Sequence, residues 1–400
     1  MKGKTLVLGI TGGIAVYKVP ELISLLQKKG INIEVVMTKA ATEFVTPLTF
    51  RELTRNPVHQ ELFGANIQWQ VEHISLAKKA DLIAVIPATA NFIGKIAHGI
   101  ADDLLTTTVL AATGPKLIAP AMNCGMYQNP IVQKNLASLA QYGFKIVPPV
   151  SGRLLCGDSG IGKLAPVSEL ALEIEKGLTE PDLRGETVLV TAGATREPLD
   201  PIRYLTNRAS GMMGHALAEA AYKRGAQVIL VTAASLAVNS RSIRVYQVET
   251  CAEMLQAVTR LAPEATIIIK AAAPADYRPE KVAVTKLKKT GSPLELKLIP
   301  TVDILAQLGQ TKSPQQLLVG FAAETNDLRE QALEKLRRKN LDLIIANRVD
   351  RRDVGMGAAE NQVIIYSQSE AVEIPLQPKT ALADAILTYL IKYKKERTLM

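Results

Sequence analysis

Two segments of the chain combine an apolar strand, a glycine turn and the start of a helix, an arrangement that can bind phosphate. The first is Leu6–Lys18 (LVLGITGGIAVYK) and the second is Val188–Glu197 (VLVTAGATRE). Such a turn points free backbone N–H groups and the positive end of the helix dipole at an anion. The repetition predicts two phosphate-binding sites and therefore two ligands.

Further segments of the first half carry side chains that could act on a ligand. PATAN at 87–91 and PAMNCGM at 120–126 each follow an apolar strand, and the asparagine of the second places an amide in the ligand crevice. ADDLLTTT at 101–108 starts a helix with two acids and three hydroxyls. SGRLLCGDSGIGK at 151–163 places a cysteine in a glycine-dense loop, which is typical of a mobile flap over a site.

Such a turn is most common in nicotinamide-dependent dehydrogenases, but the sequence argues against this class of enzyme. The nicotinamide site needs an acidic residue at the end of the second strand to hold the ribose hydroxyls. Here the second strands end in VMTK at 36–39 and in LVTA at 230–233, without an acid. The hydroxyls of Thr11 and Thr38 suit the single phosphate of a mononucleotide, although lone threonines are more often plain strand-end residues.

The positioning elements are apolar strands that alternate with helical patterns in both halves. This alternation predicts an α/β fold with two doubly wound, Rossmann-like domains of three layers, and ligands at the carboxyl ends of the strands. The predicted strands are Leu6–Ile10, Ile33–Met37, Leu82–Ile86, Lys116–Ala119 and Lys145–Val147, then a strand from Val188, Val228–Val231, Thr266–Lys270, Leu317–Phe321, Leu343–Ala346 and Gln362–Tyr366.

The boundary between the two domains is predicted at Lys176–Arg184 (KGLTEPDLR), where apolar periodicity is lost. We therefore expect domains at 1–182 and 183–400. Lys286–Pro300 is predicted to be a lysine-rich loop leading into an extended segment.

Composition excludes several classes of protein. The 400 residues are 48% hydrophobic and 21% charged, as in folded soluble proteins. Apolar runs are too short for a membrane span or a signal peptide, so we expect a cytoplasmic protein with no membrane partner. The three cysteines lack metal-site spacing and fit a reducing compartment. The net charge of +9 comes without interleaved aromatics or a nucleic-acid motif, which favours small acidic ligands over nucleic acid.

Longer motifs make a family resemblance specific. They are PAMNCGM, CGDSGIG at 156–162, TAGATREPLDPIRYLTNRASG at 191–211, AAAPADYRP at 271–279, KLKK at 286–289 and GFAAET at 320–325. The first half resembles the flavin-dependent cysteine decarboxylases. From Lys4 to about Tyr393, the chain resembles the bifunctional coenzyme A biosynthesis family, in which a phosphopantothenoylcysteine decarboxylase is fused to a phosphopantothenate–cysteine ligase.

For the first half, the resemblance implies decarboxylation of phosphopantothenoylcysteine to 4'-phosphopantetheine with FMN. Oxidation of the thiol to a thioaldehyde supplies the electron sink, the negative charge left by carbon dioxide is spread onto sulfur as an enethiolate, and the borrowed electrons are returned. His73 matches the histidine of the oxidative half-reaction, Asn123 the asparagine that holds the substrate carboxylate, and Cys156 the acid that protonates the enethiolate. The positions expected to bind FMN are Gly9, Thr11, Gly12, Gly13, Thr38, Thr89, Asn91 and Thr106.

Without the resemblance, two of these residues have plainer interpretations. His73 would be a buried histidine at a helix start, and Cys156 a small apolar filler. A non-catalytic flavoprotein acting as a regulatory subunit could likewise keep the flavin turn and His73. The cysteine within CGDSGIG and the full second domain argue against that rival.

For the second half, the resemblance implies ligation of L-cysteine to 4'-phosphopantothenate. The carboxylate attacks the α-phosphate of CTP, pyrophosphate leaves, and the cysteine amine attacks the acyl cytidylate, while Mg²⁺ and lysines stabilise the triphosphate. Asn207 matches the asparagine that holds the acyl intermediate, and Lys286 the catalytic lysine of a loop. The positions expected to bind CTP are Gly193, Ala194, Ala272, Asp276, Lys286, Val302, Asp303, Ile304, Phe321, Lys335 and Lys339. No residues are assigned as Mg²⁺ ligands. Without the resemblance, the lysines around Lys286 and those at Lys335 and Lys339 would simply be surface residues exposed to solvent.

The chain departs from the family pattern at a few places. Ala209–Gly214 lacks a serine and a lysine that the family usually has, Val302 replaces a common proline, and Leu154 and Leu155 precede Cys156 where a smaller residue is usual. The family forms trimers of flavin domains and pairs its ligase domains into a dodecamer. The resemblance therefore implies a homo-oligomer.

Overall fold

The first sheet is built from strands whose side chains are apolar on both faces. A computed structural model describes residues 3–63, 71–153, 159–289, 291, 293–324, 328–348 and 357–399. The chain folds as two units, residues 1–180 and 181–400. In unit 1 the strands are β1 (Thr5–Ile10), β2 (Asn32–Met37), β3 (Val58–His59), β4 (Leu82–Ala88), β5 (Lys116–Pro120), β6 (Phe144–Ile146), β7 (Val150–Arg153) and β8 (Ser159–Lys163).

Helices cover both faces of this sheet. They are α1 (Val19–Gln27), α2 (Lys39–Thr42), α3 (Pro47–Thr54), α4 (Glu72–Lys79), α5 (Ala90–Ala97), α6 (Leu104–Ala111), α7 (Cys124–Gln128), α8 (Pro130–Gln141) and α9 (Val167–Leu178), with a 3₁₀ turn at Ile14–Lys18. Alternate residues of β1 belong to different cores: Leu6 and Leu8 pack with α1 and α9, whereas Val7 packs with α5 and α6. Burial on both faces explains the continuous apolar runs.

The strand order of unit 1 fixes where a ligand can bind. The sheet runs β3-β2-β1-β4-β5-β6 and all its pairs are parallel, while β7 and β8 form a separate antiparallel hairpin. The chain leaves β1 toward β2 on one side and β4 lies on the other, so a crevice opens beyond the carboxyl ends of β1 and β4.

Unit 2 repeats this plan with additions. Its strands are β9 (Thr187–Ala192), β10 (Arg196–Pro198), β11 (Tyr204–Thr206), β12 (Gln227–Thr232), β13 (Arg244–Gln247), β14 (Ile267–Lys270), β15 (Tyr277–Pro279), β16 (Leu298–Pro300), β17 (Leu317–Glu324), β18 (Leu343–Arg348), β19 (Glu360–Tyr366) and β20 (Ala371–Pro378). Its helices are α10 (Met212–Lys223), α11 (Cys251–Leu261), α12 (Ile304–Thr311), α13 (Leu328–Arg338) and α14 (Lys379–Leu399), with a 3₁₀ turn at Ala262–Glu264.

In the second sheet, the strand order changes direction at β9, with β12 on one side and β14 on the other. It runs β13-β12-β9-β14-β17-β18-β19-β20, parallel as far as β18 and antiparallel beyond. Helices α11, α12 and α13 share one core with the sheet, and α10 packs against β9 and α14. The ligand crevice is therefore expected between the carboxyl ends of β9 and β14.

These findings confirm the predicted α/β class and the two doubly wound sheets, and they correct details. Helix α9 continues to Leu178, into the predicted linker, because Leu178 is buried at its end. Short strands such as β3, β8, β10 and β15 were not predicted, since they lack a long apolar run. Among the described residues, no helix combines the length and the apolar character that crossing a membrane requires.

Candidate active sites

A cavity of about 670 Å³ opens at the carboxyl ends of β1 and β4, the switch point of unit 1, where the strand order changes direction. Its walls come from the turn after β1, the start of α2, the loop after β4 and the loop after β5. Six residues expected to bind FMN line it: Thr11, Gly12, Gly13, Thr38, Thr89 and Asn91. Structure and sequence thus agree on which turn faces the cavity.

A threonine hydroxyl joins the two central strand ends. The Oγ1 hydroxyl of Thr11 donates to the carbonyl of Pro87 at 2.7 Å and accepts from the backbone N–H of Thr89 at 3.0 Å. Thr11 is 2% exposed, so its hydroxyl shapes the cavity floor more than it offers a donor to a ligand. Next to it, a Cβ on Gly12 would lie 2.5 Å from the Cβ of Ala40, so this position excludes side chains.

Gly9 and Thr106, also expected to bind FMN, do not line this cavity. Gly9 lies within β1, where a Cβ would meet Leu105 at 2.5 Å. Thr106 is fully buried and forms a capping box with Asp103, whose Oδ1 accepts from the Thr106 N–H at 2.7 Å. Both residues support the packing of α6, and it is Asp103 that reaches the cavity wall.

Asn123 lines the same cavity from the opposite side. It caps α7, and its Oδ1 accepts from the backbone N–H of Gly125 at 2.8 Å. The strand β8 is fastened beside it, since the N–H of Met122 donates to the carbonyl of Gly162 at 3.0 Å. A Cβ on Gly162 would lie 2.3 Å from the Met122 carbonyl oxygen, so only glycine allows this contact.

Basic residues surround the cavity. Lys18, Lys39, Lys95 and Lys163 line it. Burial, followed by the neighbouring ammonium of Lys163, lowers the pKa of Lys18. Lys95 is paired with Asp102 at 2.8 Å. Lys18 and Lys163 therefore form a region suited to an anionic group.

His73, a residue expected in the flavin site, does not line this cavity. His73 is half-buried in the first turn of α4 and does not line the cavity of its own chain. Cys156 lies outside the described residues, between β7 and β8. Cys124, next to Asn123, is the described cysteine of this region and packs against Gly160 of β8.

The helix that carries His73 is held by a charged network at the sheet edge. The buried Glu34 carboxylate pairs with Lys79, and its Oε2 lies 3.5 Å from Nε2 of His59. The other ring nitrogen of His59 pairs with Glu72. Burial opposes the charge on His59, but hydrogen bonds to Glu34 and Glu72 raise its pKa, while His59 lowers the pKa of Glu34 to about 2.

A cavity of about 240 Å³ occupies the switch point of unit 2. Threonine hydroxyls again join the central strands: Thr191 accepts from the N–H of Ala272 at 3.1 Å, and Thr195 from that of Ala275 at 2.9 Å. Asn207, Ala272, Asp276 and Phe321, four residues expected in the ligase site, line this cavity. The Nδ2 of Asn207 donates to the carbonyls of Ala273 and Pro274 at 3.1 and 3.0 Å, which holds it over the β14 loop.

Glycines form one wall of the second cavity. Gly193 and Gly211 have φ of +83° and +84°, values that favour glycine, and a Cβ on Gly211 would lie 3.1 Å from the Gly193 nitrogen. Gly211 precedes α10 and lines the cavity with Met212. Neither Gly193 nor Ala194 lines it directly, although both belong to the turn behind the wall.

The remaining expected CTP positions do not line this cavity. Lys339 is paired with Asp303 at 2.8 Å, and Asp303 caps α12, which begins at the buried Ile304. Val302 is half-exposed, and its carbonyl accepts from the thiol of Cys251 at 3.6 Å. Lys335 lies on α13.

The loop that carries Lys286 is tied down by a buried carboxylate. The Oδ2 of Asp200 accepts from the backbone N–H of Leu287 at 3.1 Å and from Nη2 of Arg203 at 2.6 Å. Arg203 also donates to the Leu287 carbonyl at 2.5 Å. Hydrogen bonds from Arg203, Ile202 and Leu287 keep the pKa of Asp200 far below its usual range.

Sequence reasoning missed four polar residues that line the second cavity, namely Lys270, Asn347, Asn361 and Lys379. Asn347, Asn361 and Lys379 are buried. The available signal was a polar residue at the end of an apolar strand, as in IIIK at 267–270. Within the described part of the chain, no group of three or more His, Cys, Asp or Glu side chains is placed to hold a metal ion.

Two family models match different parts of the chain. A family model for flavoproteins matches residues 1–178, and one for the DNA/pantothenate metabolism flavoprotein C-terminal domain matches residues 183–393. The coenzyme A biosynthesis bifunctional protein CoaBC of Bacillus subtilis (strain 168) is 43% identical over 99% of this chain and 98% of its own length. That of Escherichia coli (strain K12) is 39% identical over 99% of both chains.

Among solved structures, the C-terminal domain of a coenzyme A biosynthesis bifunctional protein CoaBC is 39% identical, covers 54% of this chain and 100% of its own, and has a TM-score of 0.47. On the full-length similarity and the two family matches, the chain belongs to the family of coenzyme A biosynthesis bifunctional proteins.

Proposed function

We propose that the protein ligates L-cysteine to 4'-phosphopantothenate with CTP, and then decarboxylates the product to 4'-phosphopantetheine with FMN. Ligation is assigned to residues 183–400 and decarboxylation to residues 1–182. One observation carries the proposal: the glycine turn, Asn123 and the glycine-bearing strand β8 enclose one cavity in unit 1, so a flavin ring and a carboxylate could meet there.

The residues of the first cavity fit FMN. Its volume of about 670 Å³ and its mostly apolar walls suit a large flat ring, and Gly12 keeps one wall clear of side chains. Neither second strand ends in the acid that a dinucleotide would need. When bound beside these residues, FMN would supply the acceptor for the electron pair of the thiol and the means of returning that pair.

The chain's own groups then act on the substrate. Asn123 binds the carboxylate through a neutral amide, which adds no positive charge that would hold the carboxylate back from leaving as carbon dioxide. Lys18 and Lys163 bind the substrate's anionic end at the cavity mouth. Cys156 donates a proton to the enethiolate.

In the second cavity, the wall around Gly211 and the start of α10 suits phosphate oxygens. Asn207 holds the acyl intermediate over the β14 loop, and Lys286 reaches the triphosphate from a loop tied to Asp200. Because no described cluster of side chains is arranged for a metal, Mg²⁺ would arrive with the triphosphate and water as its ligands.

Assembly of flavin units into a homo-oligomer would account for the position of His73. The segment around it exposes Val71 and Ile74, at 57% and 37%, and its own cavity lacks the histidine. A neighbouring copy could therefore supply His73 to the site.

The test is to incubate the purified full-length protein with 4'-phosphopantothenate, L-cysteine, Mg²⁺ and either CTP or ATP, and to identify the products by mass. We expect 4'-phosphopantetheine, pyrophosphate and CMP, with the yellow absorbance of FMN throughout. A colourless protein after saturation with FMN, or a mixture that yields no cysteine conjugate, would overturn the proposal.

A further inference from the structure

Lys270 occupies a central position that no expected role covers. It ends β14, one of the two strands at the switch point, and pairs in register with Thr191 of β9 and Gly320 of β17. Its side chain lines the second cavity together with Asp276 and Phe321. A ligand at this switch point would therefore lie against Lys270.

The ammonium group of Lys270 has no fixed partner in the part of the chain that the structure describes. Its Nζ forms neither a hydrogen bond nor an ion pair there, and the charged groups that face it are Asp303, Lys339, Asp276 and the thiol of Cys251. Asp303 is already engaged, since it pairs with Lys339 at 2.8 Å and accepts from the N–H of Ala306 at 3.0 Å.

This arrangement leaves the cation unsatisfied. Burial, followed by the nearby ammonium of Lys339, lowers the pKa of Lys270 to about 8, against the opposing effect of Asp303. A half-buried lysine without an acceptor is costly to keep charged, so an oxygen that enters the cavity would favour its protonated form.

We propose that Lys270 is a further nucleotide-binding residue, which donates a hydrogen bond from the end of β14 to an oxygen of CTP. The inference rests on the proposed ligase function and deepens it. Bound CTP raises the pKa of Lys270, so at alkaline pH the protein takes up a proton from solvent when the nucleotide binds. Phosphate groups are already fully ionised in that range and do not contribute.

The sign of the pH dependence follows from this shift. Well below the pKa of Lys270 its side chain is charged before binding, and uptake is near zero. In alkaline solution a fraction of a proton is taken up for each CTP bound, and this fraction grows with pH. The affinity for CTP therefore falls as pH rises above about 8.

The experiment is calorimetric titration of the full-length, FMN-loaded protein with CTP and Mg²⁺, in two buffers of different ionisation enthalpy at pH 8. Lys270→Met should weaken CTP binding roughly tenfold to hundredfold and abolish the uptake, because a charged hydrogen bond is lost. Lys270→Arg should bind CTP without uptake, since arginine stays protonated. Lys270→Gln serves as a second neutral variant if the methionine variant does not fold.

Three control variants separate this role from packing. Lys312→Met removes a half-buried lysine that is paired with Asp342 at 2.8 Å, and CTP binding should not change. Cys251→Ala removes a titratable thiol near Lys270, and Lys379→Met removes the other lysine of the cavity whose pKa burial lowers; uptake should persist in both variants. Repeating the titration with cytidine and CMP locates the oxygen: a loss shared by all three ligands places it on the base or sugar, and a loss confined to CTP places it on the terminal phosphates.

Uptake that persists in Lys270→Arg, or unchanged CTP affinity in both neutral variants, would overturn the inference while leaving the proposed function intact. A wild-type protein that binds no CTP would instead overturn the proposed ligase function. The two failures are therefore distinguishable.

Discussion

At both switch points a threonine hydroxyl hydrogen-bonds the two central strand ends together, but the residues at the floor of the two cavities differ in charge. In unit 1 the hydroxyl of Thr11 joins the end of β1 to the loop after β4, and in unit 2 Thr191 and Thr195 join the end of β9 to the loop after β14. The first cavity, of about 670 Å³, has uncharged strand ends as its floor, whereas the second, of about 240 Å³, has Lys270 there. The same arrangement of strands can thus hold an uncharged ring or a polyanion. Which of them it suits depends on the residue at the end of β4 in unit 1 and of β14 in unit 2.

The strongest test of this comparison is to inactivate one site and to measure the activity of the other. We expect Cys156→Ser to lower the release of 4'-phosphopantetheine roughly a hundredfold to ten-thousandfold, because a serine hydroxyl is a much weaker acid than a thiol. Formation of the cysteine conjugate should match the wild type. Both products are measured by mass spectrometry in the same reaction.

Lys286→Gln is the matched control in the other unit. It should slow the ligation step and leave the decarboxylation of added phosphopantothenoylcysteine unchanged. If either variant lowered both activities equally, the two cavities would not be separate active sites.

The second prediction concerns the turn that faces the larger cavity. In Gly12→Ala the new methyl group would lie 2.5 Å from the Cβ of Ala40, so α2 must shift away. Overpacking of this size costs about 1–3 kcal/mol, which corresponds to roughly a fivefold to hundredfold loss of FMN affinity. Flavin absorbance per chain after gel filtration measures the loss.

Gly114→Ala is a control for Gly12→Ala, because its Cβ would meet only the Ala80 carbonyl oxygen at 3.7 Å. It should retain its flavin. A Gly12→Ala protein with normal flavin content would show that this turn does not approach FMN.

The third prediction compares the threonine fastenings directly. Thr11→Val leaves a buried carbonyl and a partly buried N–H without a partner, whereas Thr191→Val leaves one buried N–H. We expect the free energy of local opening to fall by about 2–3 kcal/mol in the first case and by about 1–2 kcal/mol in the second. Hydrogen exchange at neighbouring strand amides whose own partners are kept, Val85 of β4 and Ile269 of β14, reports each value, and equal losses would contradict the comparison.

The sequence predicted the central strands of both sheets because their apolar runs are buried on both faces, as in Leu6–Ile10. It did not predict β8, whose residues Ser159–Lys163 read as a loop. That strand forms because Gly160 and Gly162 pack against Cys124 and the Met122 carbonyl, contacts that only the folded chain brings together. Lys270 was missed for the same reason, since nothing local distinguishes a lysine at a strand end from one that faces a cavity.

The smallest effect is expected at the sheet edge of unit 1, where charge lies away from the cavity. Glu34 is 5% exposed, and His59, with further help from Lys79, lowers its pKa to about 2 despite the cost of burial. A carboxyl whose pKa is lowered by folding stabilises the protein above its unfolded pKa of about 4.5, and this stability is lost as pH falls toward 2.

Glu34→Gln keeps the shape and one acceptor but removes the charge, so we expect the free energy of unfolding to fall by about 1 kcal/mol at pH 7. The difference from the wild type should shrink as pH falls from 4.5 to 2, because the wild-type carboxyl is then protonated as well. Denaturant titrations followed by the fluorescence of the chain's one tryptophan, Trp69, measure it. A difference that stayed constant across this range would show that packing around Glu34, and not its ion pairs with His59 and Lys79, holds α4 in place. The contrast in charge between the two units would then be confined to the cavities.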